Sequence, residues 1–283
     1  MAFSGADATG CQYDIGVNFG NSKRYSDANV TRLLADARTA SVMGVVSISN
    51  NLGELTRNRE LSLAHGGLFY TAGVHPHEAS TVGSKSELEA AITAAFSCKS
   101  GVGGKCVAIG ECGLDYDRNF SPRDAQLRCF RWQVEIARAL SQPLYLHCRS
   151  KPGRTDAFTD LLAVLDEVGL PAPSPGVVHC FTGPPEQAAA FCARGLYLGI
   201  TGWLLDARRN ADLAASVAAT PLDRLLVETD APWMPLTRVT GRKASEPQDV
   251  QVVAREIARV RGEDPAAVAR ALLTNARAAL GLP

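Results

Sequence analysis

With 283 residues, 46% hydrophobic and 20% charged, the chain has the composition of a globular protein with an ample core, enough for one large α/β domain or two ordinary ones. Lysine plus arginine and aspartate plus glutamate each number 29, so no global positive field draws in nucleic acid; such a substrate would need a local basic rim. No run of about 18 apolar residues occurs, and the amino terminus has no basic-then-apolar leader, so neither a membrane span nor a secretory signal is expected.

Residues 1–12 are small and polar and are expected to form a flexible segment ahead of one domain over 13–283. A strand over 13–19 carries Asn18 near its end. Asp27 is the expected cap of a helix reaching 41, with Val30, Leu33, Leu34 and Ala37 on one face. The apolar strand 44–49 ends at Asn50, a helix follows over 55–65, and a third strand over 68–74 terminates in His75-Pro76-His77. A Ser86-capped helix runs to 96. The Gly-rich segment 98–105, CKSGVGGK, lacks the strand-to-helix placement and the GK[ST] ending of a phosphate loop, and reads as a surface turn.

The next stretch, VAIGECGLDYDR over 107–118, organises the rest. An apolar strand delivers Glu111 at its carboxyl end, Gly113 is expected to break it, and Asp115 and Asp117 follow in a polar loop. That is how a parallel-sheet enzyme presents a reactive group. Asp115 reads as an acid orienting a neighbour or as a turn residue, and Asp117 as a turn residue.

A helix over 124–139 leads to a strand over 144–146 ending at His147; a helix over 155–168 leads to a strand over 176–178 ending at His179. After the helix 185–195, a strand over 196–200 and a helix over 212–220, the last strand, 225–228, ends at Asp230. Helices over 249–261 and 265–280 finish the chain. Eight strand–helix alternations in this length predict a single (β/α)8 barrel. The intervals from His75 to Glu111, Glu111 to His147 and His147 to His179 are 36, 36 and 32 positions, close to the roughly 30 residues of one βα unit.

Four of the five histidines, His75, His77, His147 and His179, thus fall at strand ends with Glu111 and Asp230. In a barrel all those ends open on one face, so the set reads as a metal site centred on Glu111. Imidazole and carboxylate together suit Zn²⁺ or Mn²⁺, while mostly oxygen ligands suit Mg²⁺, which leaves the ion open. Two ions about 3.5–4 Å apart would activate water and stabilise a leaving oxygen, which is hydrolysis, most naturally of a phosphate ester. Arg24, Arg118, Arg149, Arg242 and Lys243 fall on loops of the same face, where they can grip phosphate oxygens or lie solvated. Trp203 and Trp233 can stack a base or wall the pocket, the wall being the preferred reading. Cys148 and Cys180 are expected to pack behind the site, because neighbouring strand residues face opposite sides. The eight cysteines contain no CxxC pair, which fits a reduced chain working in the cytoplasm, or in the nucleus of a eukaryote.

These residues resemble the TatD family of metal-dependent deoxyribonucleases. The matching motifs are DIGVN over 14–18, AGVHPH over 72–77, IGECGLD over 109–115, LHCR over 146–149, HCFTG over 179–183, GITGW over 199–203 and VETDAP over 227–232, in order along nearly the whole chain. The resemblance implies a TIM barrel of the metal-dependent hydrolase type and Mg²⁺-stimulated nuclease activity on DNA, in DNA repair or DNA degradation. It implies metal ligands at Glu111, His147, His179 and Asp230, with His75 beside the reacting phosphate. One departure stands out: many members carry a His-x-His pair on the first strand, where this chain has Gly16 and Asn18, as the TatD branch does.

The reading is therefore a divalent-metal phosphodiesterase acting on DNA from single-stranded ends. Asp230 would accept a proton from the attacking water, His75 would position the phosphate or assist the leaving oxygen, and Asn18, His77, Arg118, Arg149 and Trp203 would bind substrate. Mg²⁺ is the expected cofactor, with Mn²⁺ or Zn²⁺ as alternatives, at one or two ions per chain; no membrane and no obligate protein partner is expected. An amidohydrolase-type enzyme cutting an amide or ester in a small molecule is the alternative, but it calls for a first-strand His pair and often a bridging lysine where Glu111 stands. A non-catalytic barrel is the third reading, and retention of the other four ligands speaks against it.

Overall fold

A computed structural model of the chain describes residues 10–97, 105–206, 210–234 and 236–283. Eight strands lie in chain order in one sheet: β1 (Gln12–Val17), β2 (Val42–Ser47), β3 (Leu68–Ala72), β4 (Cys106–Asp115), β5 (Leu144–Arg149), β6 (Gly176–Val178), β7 (Tyr197–Ile200) and β8 (Leu225–Val227). Each successive pair is parallel. The chain after β8 returns to β1 through Asp230 N–H to Gly16 O at 2.8 Å and Asn18 N–H to Ala231 O at 2.9 Å, which closes the sheet into a barrel. Both faces are covered, so β1 and β4 are buried along their whole lengths.

Between the strands run α1 (Asp27–Thr39), α2 (Leu52–Ala64), α3 (Lys85–Phe96), α4 (Arg123–Leu140), α5 (Asp156–Val168), α6 (Pro185–Cys192) and α7 (Ala211–Ala219). A single turn, α8 (Thr237–Thr240), and the helices α9 (Val250–Arg261) and α10 (Pro265–Leu280) follow β8. Helix α1 buries Val30, Leu33, Leu34 and Ala37, the face its spacing predicts. No helix among the described residues is long and apolar enough to cross a membrane.

The barrel interior is a packed core. Tyr13, Ile15, Val46, Val107, Tyr145, Val177 and Leu226 cluster there with Ala276, Ala279, Leu280 and Leu282 from the carboxyl-terminal end. That end plugs the barrel where the strands start and leaves their carboxyl ends free to build a site.

Several local expectations shift. Ser26 caps α1 in place of Asp27, and Ser84 caps α3 in place of Ser86, each hydroxyl accepting an N–H three residues on. Gln12, assigned from sequence to the flexible segment, is buried in β1 with its Nε2 donating to Ala269 O at 2.9 Å. The remainder of that segment through residue 9, and the Gly-rich turn over 98–104, lie outside the described residues.

The main correction concerns Gly113, which does not break β4. The strand continues to Asp115, pairing Gly113 with His147 and Asp115 with Arg149. Gly113 sits at φ 137°, and a Cβ there would lie 2.0 Å from His147 O. Only glycine supplies both that backbone conformation and that close approach, so β4 carries its acids two residues further than the breaker reading allowed. Gly113→Ala is expected to destabilise the fold by about 3 kcal/mol or more. Urea denaturation checks this: a midpoint equal to that of the unsubstituted chain refutes it.

Candidate metal centre

The carboxyl-terminal parts of β3, β5 and β6 each bring a histidine to a common point, Glu111 Oε1 of β4. His147 Nδ1 is 2.8 Å from it, His75 Nε2 3.5 Å and His179 Nε2 4.0 Å. Asp230 faces the same space from the β8 side, with Oδ1 3.7 Å from His179 Nε2. Backbone bonds between units hold the spacing: Glu111 N–H donates to Ser49 O, His75 N–H to Asn50 O and His179 N–H to Leu146 O. The structure thus brings together five of the residues singled out in the sequence.

Their electrostatics follow from close packing of unlike charges in a buried place. Burial alone would raise Glu111, yet the imidazoles of His75, His179 and His147 hold its carboxyl well below the usual range. Burial lowers His75 to about 4, so it is neutral at pH 7. Burial also works against a charge on His179, but Glu228 and Glu111 push it up to about 10. His147 is raised too, by its bonds to Asp115 and Glu111 acting against burial. The buried setting of the Asp230 carboxyl lifts it to about 6.

Behind the histidines stand two acids: Asp115, for which the sequence left an orienting part and a turn open, and Glu228, for which it assigned none. Asp115 is fully buried; its Oδ2 accepts from His77 Nε2 at 2.9 Å and lies 3.3 Å from His147 Nε2. Its Oδ1 takes the N–H groups of Asp117 and Arg118, so Asp117 is the expected turn residue while Asp115 faces the site. Glu228, also fully buried, lies 2.7 Å from His179 Nδ1 through Oε2, accepts from Tyr145 Oη at 2.7 Å, and accepts from Cys180 N–H at 2.6 Å through Oε1. A carboxylate behind an imidazole fixes which ring nitrogen keeps its proton. The only signal for Glu228 in the sequence was an acid directly after the apolar run of β8.

Glu228 also explains the departure on β1. A Cβ on Gly16 would lie 2.4 Å from Glu228 Oε2 and 2.6 Å from Tyr145 Oη, and one on Gly199 would lie 2.4 Å from Glu228 Oε1. The space a first-strand histidine would need is filled by this buried acid and its phenol. Asn18, the second departed position, donates through Nδ2 to Asp230 Oδ1 at 3.0 Å and so steadies that carboxylate. Asp14 of β1, pushed well above the usual carboxyl range by burial, accepts from Thr229 N–H at 2.9 Å and Thr229 Oγ1 at 2.6 Å, pinning the turn that carries Asp230 at φ 51°.

The remaining expected residues divide. His77 is bound to Asp115, and its ring meets Phe120 at 4.6 Å between centroids. Arg149 reaches to 3.6 Å of Asp115, and Arg118 is exposed at the rim. Trp203 is partly buried against the core, in the short turn Gly202–Leu205, whereas Trp233 is 45% exposed. Arg242 is tied to Asp249 and Glu246, which holds it back from the site. Cys180, expected behind the site, instead has its Sγ within 4.8 Å of ligand atoms of His179 and Asp230. Burial, then Asp230 and Glu228, push that thiol well above its usual range, so it is a neutral neighbour. A cavity of about 190 Å³ opens between the loops after β5 and β6, with Arg149, Lys151 and Arg154 along it and Phe158, Phe181 and Phe191 among its lining.

The donor set fits a cation. Ligand atoms of His75, Glu111 and His147 lie within 4.8 Å of one another, as do those of His179, Cys180 and Asp230. Buried nitrogen and carboxylate donors without a lysine or arginine among them are a set that divalent transition ions or Mg²⁺ accept.

Known proteins agree with this architecture. The model of the TatD-related DNase family matches residues 13–281. The chain is 40% identical over 257 residues to the 3'-5' ssDNA/RNA exonuclease TatD of Cronobacter sakazakii, covering 90% of this chain and 92% of that one. It is 37% identical over 273 residues to the protein of the same name in Escherichia coli, covering 95% and 99%. Among solved structures, a TatD homologue from Escherichia coli superposes with a TM-score of 0.81 at 26% identity, over 96% of this chain and 98% of that one.

Proposed function

Because this chain belongs to the TatD-related DNase family, we propose that it is a divalent-metal-dependent nuclease that hydrolyses phosphodiester bonds of DNA from single-stranded ends. Single-stranded RNA is a second substrate to test, since the curated relatives are named for both. The observation that carries the reading is the convergence of three imidazoles on one carboxylate oxygen, Glu111 Oε1, at the open end of a parallel barrel. Work in DNA repair or DNA degradation, in a reducing cytoplasm, is in keeping with free cysteines among the described residues.

Glu111, His147, His179 and Asp230 would hold the cation, with Mg²⁺ the first candidate and Mn²⁺ or Zn²⁺ next, as one or two ions. When bound, such an ion polarises the phosphoryl oxygen and lowers the pKa of water. The hydrogen bonds of the chain support a division of labour among the histidines. Glu228 takes the proton on His179 Nδ1, which leaves Nε2 facing Asp230 and Glu111 as the ligand atom. Asp115 takes the proton on His147 Nε2, which leaves Nδ1. His75 differs: its Nδ1 accepts the His77 N–H at 3.1 Å, so the proton of the neutral ring sits on Nε2 and points into the site. A neutral N–H there donates to a phosphate oxygen, the part expected of His75. Asp230, lifted to about 6 and oriented by Asn18, is suited to accept a proton from the attacking water near neutral pH. Arg149, reaching from β5 toward Asp115, would hold a further phosphate oxygen.

Metal removal tests this reading. Chelation with EDTA is expected to stop degradation of a free-ended single-stranded oligonucleotide, and Mg²⁺ or Mn²⁺ to restore it. Degradation that persists undiminished in EDTA, or turnover of cyclic amides in place of the oligonucleotide, counts against it.

A further inference from the structure

Among the described residues four large hydrophobic side chains are exposed, and two of them, Phe120 at 69% and Trp233 at 45%, are aromatic. Both stand on loops of the face that carries the metal centre. Phe120 lies between β4 and α4, Trp233 between β8 and α8. In a closed sheet of eight strands in chain order, β4 and β8 are opposite one another, so the two rings flank the mouth from opposite sides.

Neither ring rides on a loose backbone. Asp115 Oδ1 takes the N–H of Arg118, and Ser121 Oγ donates to His77 O at 2.8 Å while accepting Ser80 N–H at 3.1 Å, so Phe120 is bracketed by anchored residues. Trp233 N–H donates to Asp230 O at 2.9 Å, which ties it to the metal-centre turn. The Arg24 guanidinium lies over one face of the Trp233 ring, 4.3 Å from its centroid, so a base would take the opposite face, and the exposed Arg118 precedes Phe120 by two residues in the same loop. An exposed aromatic ring on a fixed backbone, with an arginine on it or in the same loop, matches a nucleotide: an open ring face takes a base and the guanidinium a phosphate.

We propose that Phe120 and Trp233 are stacking platforms for two unpaired nucleobases on either side of the scissile phosphate, with Arg118 and Arg24 holding the flanking phosphates. This rests on the nuclease reading and deepens it, because it supplies the reason for single-strand preference. A base in a duplex is already stacked on both faces, whereas an unpaired base near a strand end can turn onto a ring. Stacking also tolerates every base, so the platforms select strandedness and not sequence.

The test compares Phe120→Ala, Trp233→Ala and Phe120→Trp with the unsubstituted protein. Binding of a fluorescent single-stranded oligothymidylate is measured in EDTA, and turnover is measured with Mg²⁺, each also on an abasic strand of equal length. Each alanine variant is expected to weaken oligothymidylate binding and raise its KM by about 5- to 150-fold, the range for loss of one base stack. Phe120→Trp is expected to bind as the unsubstituted protein does, and all four proteins are expected to treat the abasic strand alike. Unchanged oligothymidylate binding in both alanine variants overturns the proposal. A loss on the abasic strand equal to that on oligothymidylate overturns it too, and assigns Phe120 to shielding His77. If the binding pattern appears but no protein shows metal-dependent turnover, the platforms stand and the nuclease reading fails.

Discussion

Glu111→Gln is expected to lower phosphodiester hydrolysis by about 10³-fold or more, the scale at which a single electrostatic contributor to such a site acts. The amide keeps the size of the side chain but removes the charge on which three imidazoles converge, and it offers a donor where His147 Nδ1 now meets an acceptor at 2.8 Å. Metal affinity should fall with it. Calorimetric titration of the metal-free protein with Mn²⁺, beside oligonucleotide turnover with Mg²⁺, measures both. Urea denaturation of the variant separates loss of the site from loss of the fold. A folded Glu111→Gln protein that binds Mn²⁺ and turns over substrate as before would remove Glu111 from the centre of the site.

Glu228→Gln is expected to cost about 10²–10⁴-fold in turnover, although Glu228 is held away from the substrate side of His179. Three donors converge on this carboxylate, from His179 Nδ1, Tyr145 Oη and Cys180 N–H. An amide has one oxygen, so its NH₂ must face His179 or the Cys180 N–H. If it faces His179, the ring is forced to keep its proton on Nε2, the nitrogen a cation needs. The readout that separates this from a general structural loss is the Nδ1 and Nε2 protonation pattern of His179 by ¹⁵N NMR, with Mn²⁺ affinity beside it. Glu228→Asp serves as the conservative variant, keeping a carboxylate while shortening its reach, and is expected to retain more affinity than the glutamine variant. Equal Mn²⁺ affinity in the unsubstituted and Glu228→Gln proteins would refute the positioning role.

The two acids behind the histidines show where reading residues one at a time runs out. Glu111, His147, His179 and Asp230 were legible because each follows an apolar strand at nearly constant spacing, and a parallel barrel sends every such end to one face. Asp115 ends β4 and Glu228 directly follows β8. Their distance from the mouth depends on details spacing does not carry: whether Gly113 stops β4 or lets it run on, and which side chains fill the room above Gly16. Phe120 had no signal at all, since a lone phenylalanine is more often buried than exposed. Trp203 and Trp233 follow strands alike, and only packing separated the partly buried ring from the exposed one.

What the sequence by itself determined is the periodic part of this protein. Apolar runs of strand length, amphipathic helices between them and polar groups once per unit specify a closed parallel barrel and put Glu111, His147, His179 and Asp230 at its open end. This information is local, because each segment carries its own pattern of burial. The tertiary structure decided which nitrogen of each histidine faces Glu111, why β1 carries Gly16 where a histidine would collide with Glu228 and Tyr145, and which aromatic rings face solvent beside the site. Those outcomes turn on contacts between β1, β5 and β8, or between loops on opposite sides of the barrel. They depend on residues far apart in the chain and are set only when the barrel closes.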